Sequence, residues 1–171
     1  MRHLIVAFFL VFATPAFSEE PQTIFWEDLL PDGELERLEE LYAAAPSMTM
    51  FGHSPDDPMA GGMAVQIGTF NVVQELDEKL VRIPGFVLPF EYVKSGKISE
   101  FLLVPYFGAC IHTPPPPPNQ LVYVKAEKPA DLGQQWDAIW AIGKLRTQKN
   151  LNELGDAAYT LELIRWETYD G

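Results

Sequence analysis

The sequence predicts a mainly β protein, an OB-like five-stranded small Greek-key barrel with an N-terminal helix. From Val72 onward the apolar residues follow strand patterns in five runs, and helical periodicity is confined to the part before. One short stretch of helical or looped character separates the third run from the fourth, which is the element order of an OB-type barrel. An antiparallel sandwich is the alternative, because periodicity alone does not distinguish the two.

The chain begins with a segment typical of a secretory signal peptide. Arg2 supplies the positive start, residues 4–12 form a short apolar core, and Ala-Phe-Ser at 16–18 has the small-x-small pattern of a cleavage site. The apolar core is too short to span a bilayer, and no later run is long enough either. We therefore predict that residues 1–18 are removed and that the mature protein is periplasmic, without a transmembrane segment.

Residues 19–68 are predicted to form an acidic lead-in, a helix and a loop rich in Met, Gly and Pro. Asp32 is expected to cap a helix over 33–45, which Pro46 ends. The apolar positions share one face of this helix and the charged positions point away. The apolar set is Leu35, Leu38, Leu41 and Tyr42, and the charged set is Glu34, Glu36, Arg37, Glu39 and Glu40.

Residues 69–171 are predicted to form the barrel domain. Its strands are expected at residues 80–88, 100–106, 120–126, 139–146 and 159–167, with a hairpin turn at Ser95-Gly96 and a helical or looped crossover over 129–137. Pro84 and Gly85 within the first strand suggest an edge position or a bulge. Gly85 and Gly143 are placed where a small barrel needs sharp coiling.

The charge balance limits the partners of this chain. The sequence has 24 acidic and 12 basic residues, a formal net charge of −12, so a nucleic acid is excluded as a partner and cations, basic proteins or neutral ligands remain. Cys110 is the only cysteine, so no intrachain disulfide can form. In an oxidising compartment such a thiol must be buried, metal-bound or open to mixed-disulfide chemistry.

Four stretches of the sequence are similar to a known family. They are RIPGFVLPFEY, EFLLVPYFGACIHTPPPPPNQLVYV, WDAIWAIGKL and LGDAAYTLE. These stretches resemble the bacterial exported domain-of-unknown-function family 3299, and the resemblance covers residues 66–169 with a weaker match at 26–29. The resemblance implies a periplasmic or lipoprotein location. It also implies genes that neighbour components of an ABC transporter, in some bacteria under zinc-limited control. The family has no established activity to carry over.

Cys110 and His112 are the predicted metal ligands. Thiolate and imidazole bind Zn(II) or Cu(I), and a spacing of two residues puts both side chains on one face of an extended segment. Further ligands would come from elsewhere in the chain, such as Asp56, Asp57 or a methionine; His53 is the predicted one, in a loop that also holds Met48, Met50, Met59 and Met63. The alternatives are that Cys110 is a small buried hydrophobe, that His112 caps a turn, and that the methionines fill gaps on the barrel.

The proline run that follows is predicted to be a stiff polyproline II rod, because five prolines offer no backbone N–H donors. It can present its rings to an aromatic groove of a partner protein, or pack against the aromatic residues of its own chain. The predicted partner-binding residues are Pro114, Pro115, Pro116, Pro117, Pro118 and Asn119.

No catalytic motif accompanies these residues. The sequence has no Cys-x-x-Cys pair, no Gly-x-Ser-x-Gly elbow and no phosphate-binding glycine loop. We therefore expect a non-enzymatic accessory protein that handles zinc or copper and works with an envelope ABC transporter or another envelope protein. A metal-free docking module that uses the proline run is the alternative, and thiol chemistry at Cys110 is a third hypothesis.

Overall fold

The computed structural model describes residues 20–45, 66–90, 97–109, 115–131 and 138–170. This part of the chain contains one α-helix and six strands: β1 Gln22–Thr23, α1 Glu34–Ala44, β2 Leu80–Pro89, β3 Lys97–Val104, β4 Val122–Asp131, β5 Ala138–Arg146 and β6 Tyr159–Thr168. Short 3₁₀ turns lie at Trp26–Leu29, Gln74–Leu76 and Pro118–Gln120. Within these ranges, no helix has the length and apolar character needed to cross a membrane.

Strands β2 to β6 close into a barrel. The sheet order is β1-β2-β3-β4-β6-β5, and β2 also pairs with β5, which completes the ring. Within the barrel β4 and β6 run parallel, and the other neighbouring strands run antiparallel. Because β6 lies between β4 and β5 rather than after β5, the connections are of the Greek-key kind. The predicted OB-like five-stranded barrel with one helix is confirmed.

Strand β2 pairs with β1, β3 and β5, but among the described strands only β5 faces Pro84 and Gly85, so the predicted edge position is confirmed and the alternative of a bulge is not. The first seven residues of β2 pair in unbroken register with β5, its last four pair with β3, and Phe86 pairs with both. Gly85 lies at this change of partner, where a Cβ would stand 2.7 Å from the Leu103 side chain and 3.0 Å from Trp26. The absence of a side chain at Gly85 therefore allows Leu103 and Trp26 to approach the backbone of β2 closely.

Strand β4 is longer than the sequence predicts. It runs to Asp131, which pairs with Lys97 of β3, so the first residues of the predicted crossover at 129–137 are strand. Pro129 is tolerated because the β3–β4 register shifts between Ile98 and Glu100, where regular pairing is interrupted. Residues 132–137 lie outside the described part of the chain.

Helix α1 departs from the predicted cap and the predicted faces. Its N-cap is Gly33, with φ of 75°, and no side chain caps the helix, so Asp32 does not have the expected role. Leu38 is buried, but Leu35 is 58% exposed, and Glu34 is buried at 3%. The two buried positions are four residues apart, so they lie on the same face of the helix, and only a narrow part of its surface is buried against the rest of the protein.

The main core fills the barrel and includes the N-terminal segment. Ile24 and Leu29 are fully buried in the same cluster as inward-facing strand residues such as Phe101 and Tyr159. The Tyr159 hydroxyl donates to the Leu29 carbonyl (2.8 Å) and accepts from the Val73 N–H (2.7 Å). A second cluster covers the outer face of β2, β3 and β4; its buried members are Leu88, Leu102, Val104, Ala109, Leu121 and Ala157.

Candidate functional site

The predicted metal ligands fall in segments that the structure does not describe. Cys110 and His112 lie within residues 110–114, together with Pro114, and His53 lies within 46–65 with the four loop methionines. Among the described residues, no three His, Cys, Asp or Glu side chains come together as a metal site would require. The described residues that flank this Cys-x-His segment are Ala109 and Pro115.

Both flanks of the Cys-x-His segment are packed against the protein. Ala109, immediately before Cys110, is fully buried in the outer cluster, and its N–H donates to the Tyr106 carbonyl (3.4 Å). On the other side Pro116 and Pro118 are buried, and Pro115 is partly buried. The five residues 110–114 thus connect two fixed points of the fold.

The described prolines pack against glycines and a glutamine of their own chain. Gly68 lies so close to Pro117 that a Cβ on Gly68 would stand 2.6 Å from the proline ring. A Cβ on Gly155 would stand 3.2 Å from Pro115. The Pro118 carbonyl accepts a hydrogen bond from the Ala158 N–H (2.7 Å). These contacts differ from the aromatic packing that the sequence suggested, and partner binding by these prolines stays a prediction.

The Gln66 side chain links the proline run to the loop before β6 through hydrogen bonds. Its Nε2 donates to the Pro116 carbonyl (2.7 Å) and to the Asp156 carbonyl (3.0 Å), and its Oε1 accepts from the Asp156 N–H (2.8 Å). The side-chain amide therefore uses both of its donors and its acceptor. Gln66 is the first described residue after the segment with His53, so that segment rejoins the fold beside the proline run.

Asn119 ends the proline run and binds a buried carboxylate. Asn119 is fully buried, and its Nδ2 donates to Glu34 Oε1 (3.1 Å) and to the Asn71 carbonyl (3.2 Å). Asn71 Nδ2 donates to Glu34 Oε2 (2.8 Å), and the Thr69 hydroxyl donates to Glu34 Oε1. Glu34 thus joins the start of α1, residues 69–71 and the end of the proline run.

The environment of Glu34 keeps its carboxyl group ionised. Burial raises its pKa, but the hydrogen bonds from Asn71, Thr69 and Asn119 lower it, with help from the Arg37 guanidinium 3.8 Å away. The net effect is a pKa below the ordinary value of 4.5. Asn119 Oδ1 is buried and has no hydrogen-bond partner among the described residues, so the amide is oriented by the two acceptors at Nδ2.

The sequence did not reveal the role of Glu34. The helical pattern assigned this residue to the solvent face, because charged residues occupy most of the neighbouring positions. Its place at the first position of the helix, directly after a glycine, was the available signal, since a carboxylate is favoured in the first turn. Asn119 was predicted to be a partner-binding residue; it is buried and stands in the 3₁₀ turn Pro118–Gln120.

Comparison with known proteins identifies a family to which this chain is similar and solved structures that resemble it. The crystal structure at 2.45 Å of a DUF3299 family protein from Pseudomonas aeruginosa PAO1 is similar to this structure, with a TM-score of 0.64 and 30% sequence identity. The match covers 90% of this chain and 99% of that chain. No significant match was found among curated proteins. The family described as "Protein of unknown function (DUF3299)" matches residues 26–168, and the chain belongs to this family.

Proposed function

We propose that this chain is an exported, non-enzymatic accessory protein that binds zinc or copper and works with an envelope ABC transporter. Cys110 and His112 supply two ligands, and His53 supplies a third. The observation that carries the proposal is the anchoring of the Cys-x-His segment at both ends, by buried Ala109 before it and by the packed run Pro115–Asn119 after it.

Anchoring favours metal binding because it reduces the conformational entropy that the ligands lose. Ordering the backbone of a residue costs about 1–2 kcal/mol, so a segment of five residues fixed at both ends binds an ion at a smaller cost than a free loop. Gln66, the first described residue after the segment with His53, is hydrogen-bonded to Pro116 and Asp156. That segment therefore ends beside the proline run, which supports His53 as a metal ligand.

The choice of zinc or copper follows from the ligand types. Thiolate and imidazole are ligands of Zn(II) in four-coordinate sites, and the same pair, with thioethers such as those of Met48 or Met50, suits Cu(I). The single thiol and the imidazoles of this chain favour these ions over Mg²⁺ or Ca²⁺, which prefer oxygen ligands.

The test is the metal content of the purified mature protein, together with titration by Zn(II) and Cu(I). We expect close to one ion per chain, lost in Cys110→Ser and His112→Ala and held more weakly in His53→Ala. Thr113→Ala is the matched control, since it removes a neighbouring side chain that is not a soft ligand. Wild-type protein that binds neither ion, or Cys110→Ser that binds as well as wild type, overturns the proposal.

The docking alternative has less support from the described residues. Pro116, Pro118 and Asn119 are buried, so a partner would meet only part of the run. A metal-free docking module predicts that Cys110→Ser leaves association with an envelope partner unchanged, whereas substitution of Pro115 or Pro117, which are partly buried, weakens it. Partner association measured on those variants separates the two functions.

A further inference from the structure

The barrel is open between the ends of its two parallel strands. Pairing of β4 with β6 stops at Ala126 and Leu163, although β4 continues to Asp131 and β6 to Thr168. Beyond that point β6 remains paired with β5, and the end of β4 with β3. The space between them is a groove of about 550 Å³, lined by Ala126, Glu127, Lys128, Leu163, Ile164, Arg165 and Trp166.

A bulge in β6 opens this groove. Ile142 pairs with Arg165 and Gly143 with Leu163, so Ile164 is an extra residue without a partner in β5. Gly143 permits the bulge, because a Cβ there would stand 2.2 Å from the Glu162 carbonyl oxygen. A bulge bends its strand and redirects a side chain. Here it ends the pairing with β4 and leaves Ile164 lining the groove, 66% exposed.

The two walls of the groove are not equivalent. On the β4 side, residues 127–129 have no paired residue in β3 or β6 among the described strands, and they include Lys128 and Pro129, which hinder strand pairing. On the β6 side residues 165–168 pair with β5 in regular register, and their other edge has no strand neighbour among the described residues. An unpaired edge of this kind is a template for an added strand.

The groove also differs from the rest of the molecule in charge. Lys128 and Arg165 outnumber Glu127, which gives the lining a net charge of +1, whereas the whole chain carries −12. The Arg165 guanidinium lies 3.4 Å from the Glu167 carboxylate, an exposed pair that water screens. The lining therefore favours an acidic ligand, and the exposed Ile164 favours an apolar side chain beside it.

We propose that this groove binds an extended, acidic segment of a partner protein by strand addition to β6. The backbone of the segment pairs with the free edge of residues 165–168, an apolar side chain packs on Ile164, and carboxylates lie near Lys128 and Arg165. This is the β-augmentation mode of peptide recognition. It uses residues remote in sequence from Cys110 and His112, and it does not depend on metal binding.

The probe is an acetylated hexapeptide of alternating Glu and Val, titrated into the mature protein and followed by backbone NMR. We expect shift changes and slower amide exchange at residues 165–168. Ile164→Lys and Arg165→Glu should each weaken binding about tenfold or more, whereas Leu151→Lys, at a site 70% exposed elsewhere, should bind as wild type does. A peptide with Pro at alternate positions, which cannot pair, should not bind.

Three results overturn the proposal. One is that the acidic peptide does not bind or perturbs other residues, and another is that the proline-containing peptide binds equally well. The third is that the β6 edge is occupied by a second copy of the chain. In that case the mass of the protein, measured without peptide, doubles as its concentration rises, and the Ile164→Lys variant remains a monomer.

Discussion

At the scale of single residues, the Glu34 carboxylate holds together parts of the chain that are far apart in sequence. It accepts hydrogen bonds from Thr69, Asn71 and Asn119, and its side chain is only 3% exposed. Hydrogen bonds to a charged group are stronger than neutral ones, and a buried donor that loses its acceptor is costly. The end of the proline run therefore depends on one helix residue for its position.

Glu34→Gln should lower the free energy of unfolding by about 2 kcal/mol at neutral pH, because it removes the charge from a carboxylate that accepts three hydrogen bonds. The folded pKa lies below 4.5, so this contribution is present above about pH 4.5 and is lost as the pH falls through the folded pKa. Denaturant unfolding at several pH values measures it.

The control for this experiment is Glu36→Gln on the same helix, where the side chain is exposed. Its free energy of unfolding should stay within about 0.5 kcal/mol of the wild type. A gap between wild type and Glu34→Gln that does not shrink at low pH would contradict the ionised, hydrogen-bonded carboxylate.

At the scale of elements, the sequence predicted the strands better than what lies between them. The five barrel strands are near their expected positions because alternating apolar residues mark them directly. The helix faces were wrong for Leu35 and Glu34, because a pattern of charge does not reveal that buried amides will meet a carboxylate. The extension of β4 through Pro129 was missed because proline argues against a regular strand, and only the register shift with β3 accommodates it.

Gly143→Ala should destabilise the protein by about 3 kcal/mol, since the new methyl group would meet the backbone of β6 at Glu162 and the bulge at Ile164 would have to shift. Gly33→Ala is the comparison: among the described residues, nothing but its neighbours in the chain lies within 4 Å of a Cβ at this position, and the φ of 75° opposes a side chain, at about 1 kcal/mol. Thermal unfolding of both variants measures the difference. Equal losses of stability in the two variants would mean that the close contact of position 143 with β6 does not require a glycine.

At the scale of the whole molecule, the lead-in before α1 is part of the barrel core. Ile24 and Leu29 are buried among strand residues, the Ile24 N–H donates to the Arg82 carbonyl (2.9 Å), and the Trp26 indole donates to the Pro84 carbonyl (2.8 Å). The composition of this acidic segment gave no sign of that packing. The Cys-x-His segment, in contrast, stood out in the sequence by its thiol and imidazole, but the packing of the proline run after it depends on distant residues such as Gln66 and Glu34.

Leu29→Ala should lower the free energy of unfolding by about 3 kcal/mol, the usual cost of emptying a buried leucine site. Leu35→Ala is the matched control, because that leucine is 58% exposed and its loss should cost less than about 0.5 kcal/mol. Urea titration compares the two. If Leu29→Ala were as stable as Leu35→Ala, the lead-in would not belong to the folding unit.

The hydrogen bond from Tyr159 to the Leu29 carbonyl spans 130 positions of the chain. Contacts between residues so far apart in sequence form late, since a long stretch of chain must first be brought together. Strand β6, which holds Tyr159, also completes the ring through its parallel partner β4 and its antiparallel partner β5. The barrel therefore cannot close on a growing chain before β6 has been synthesised. Folding of the barrel therefore follows completion of β6, near the end of the polypeptide.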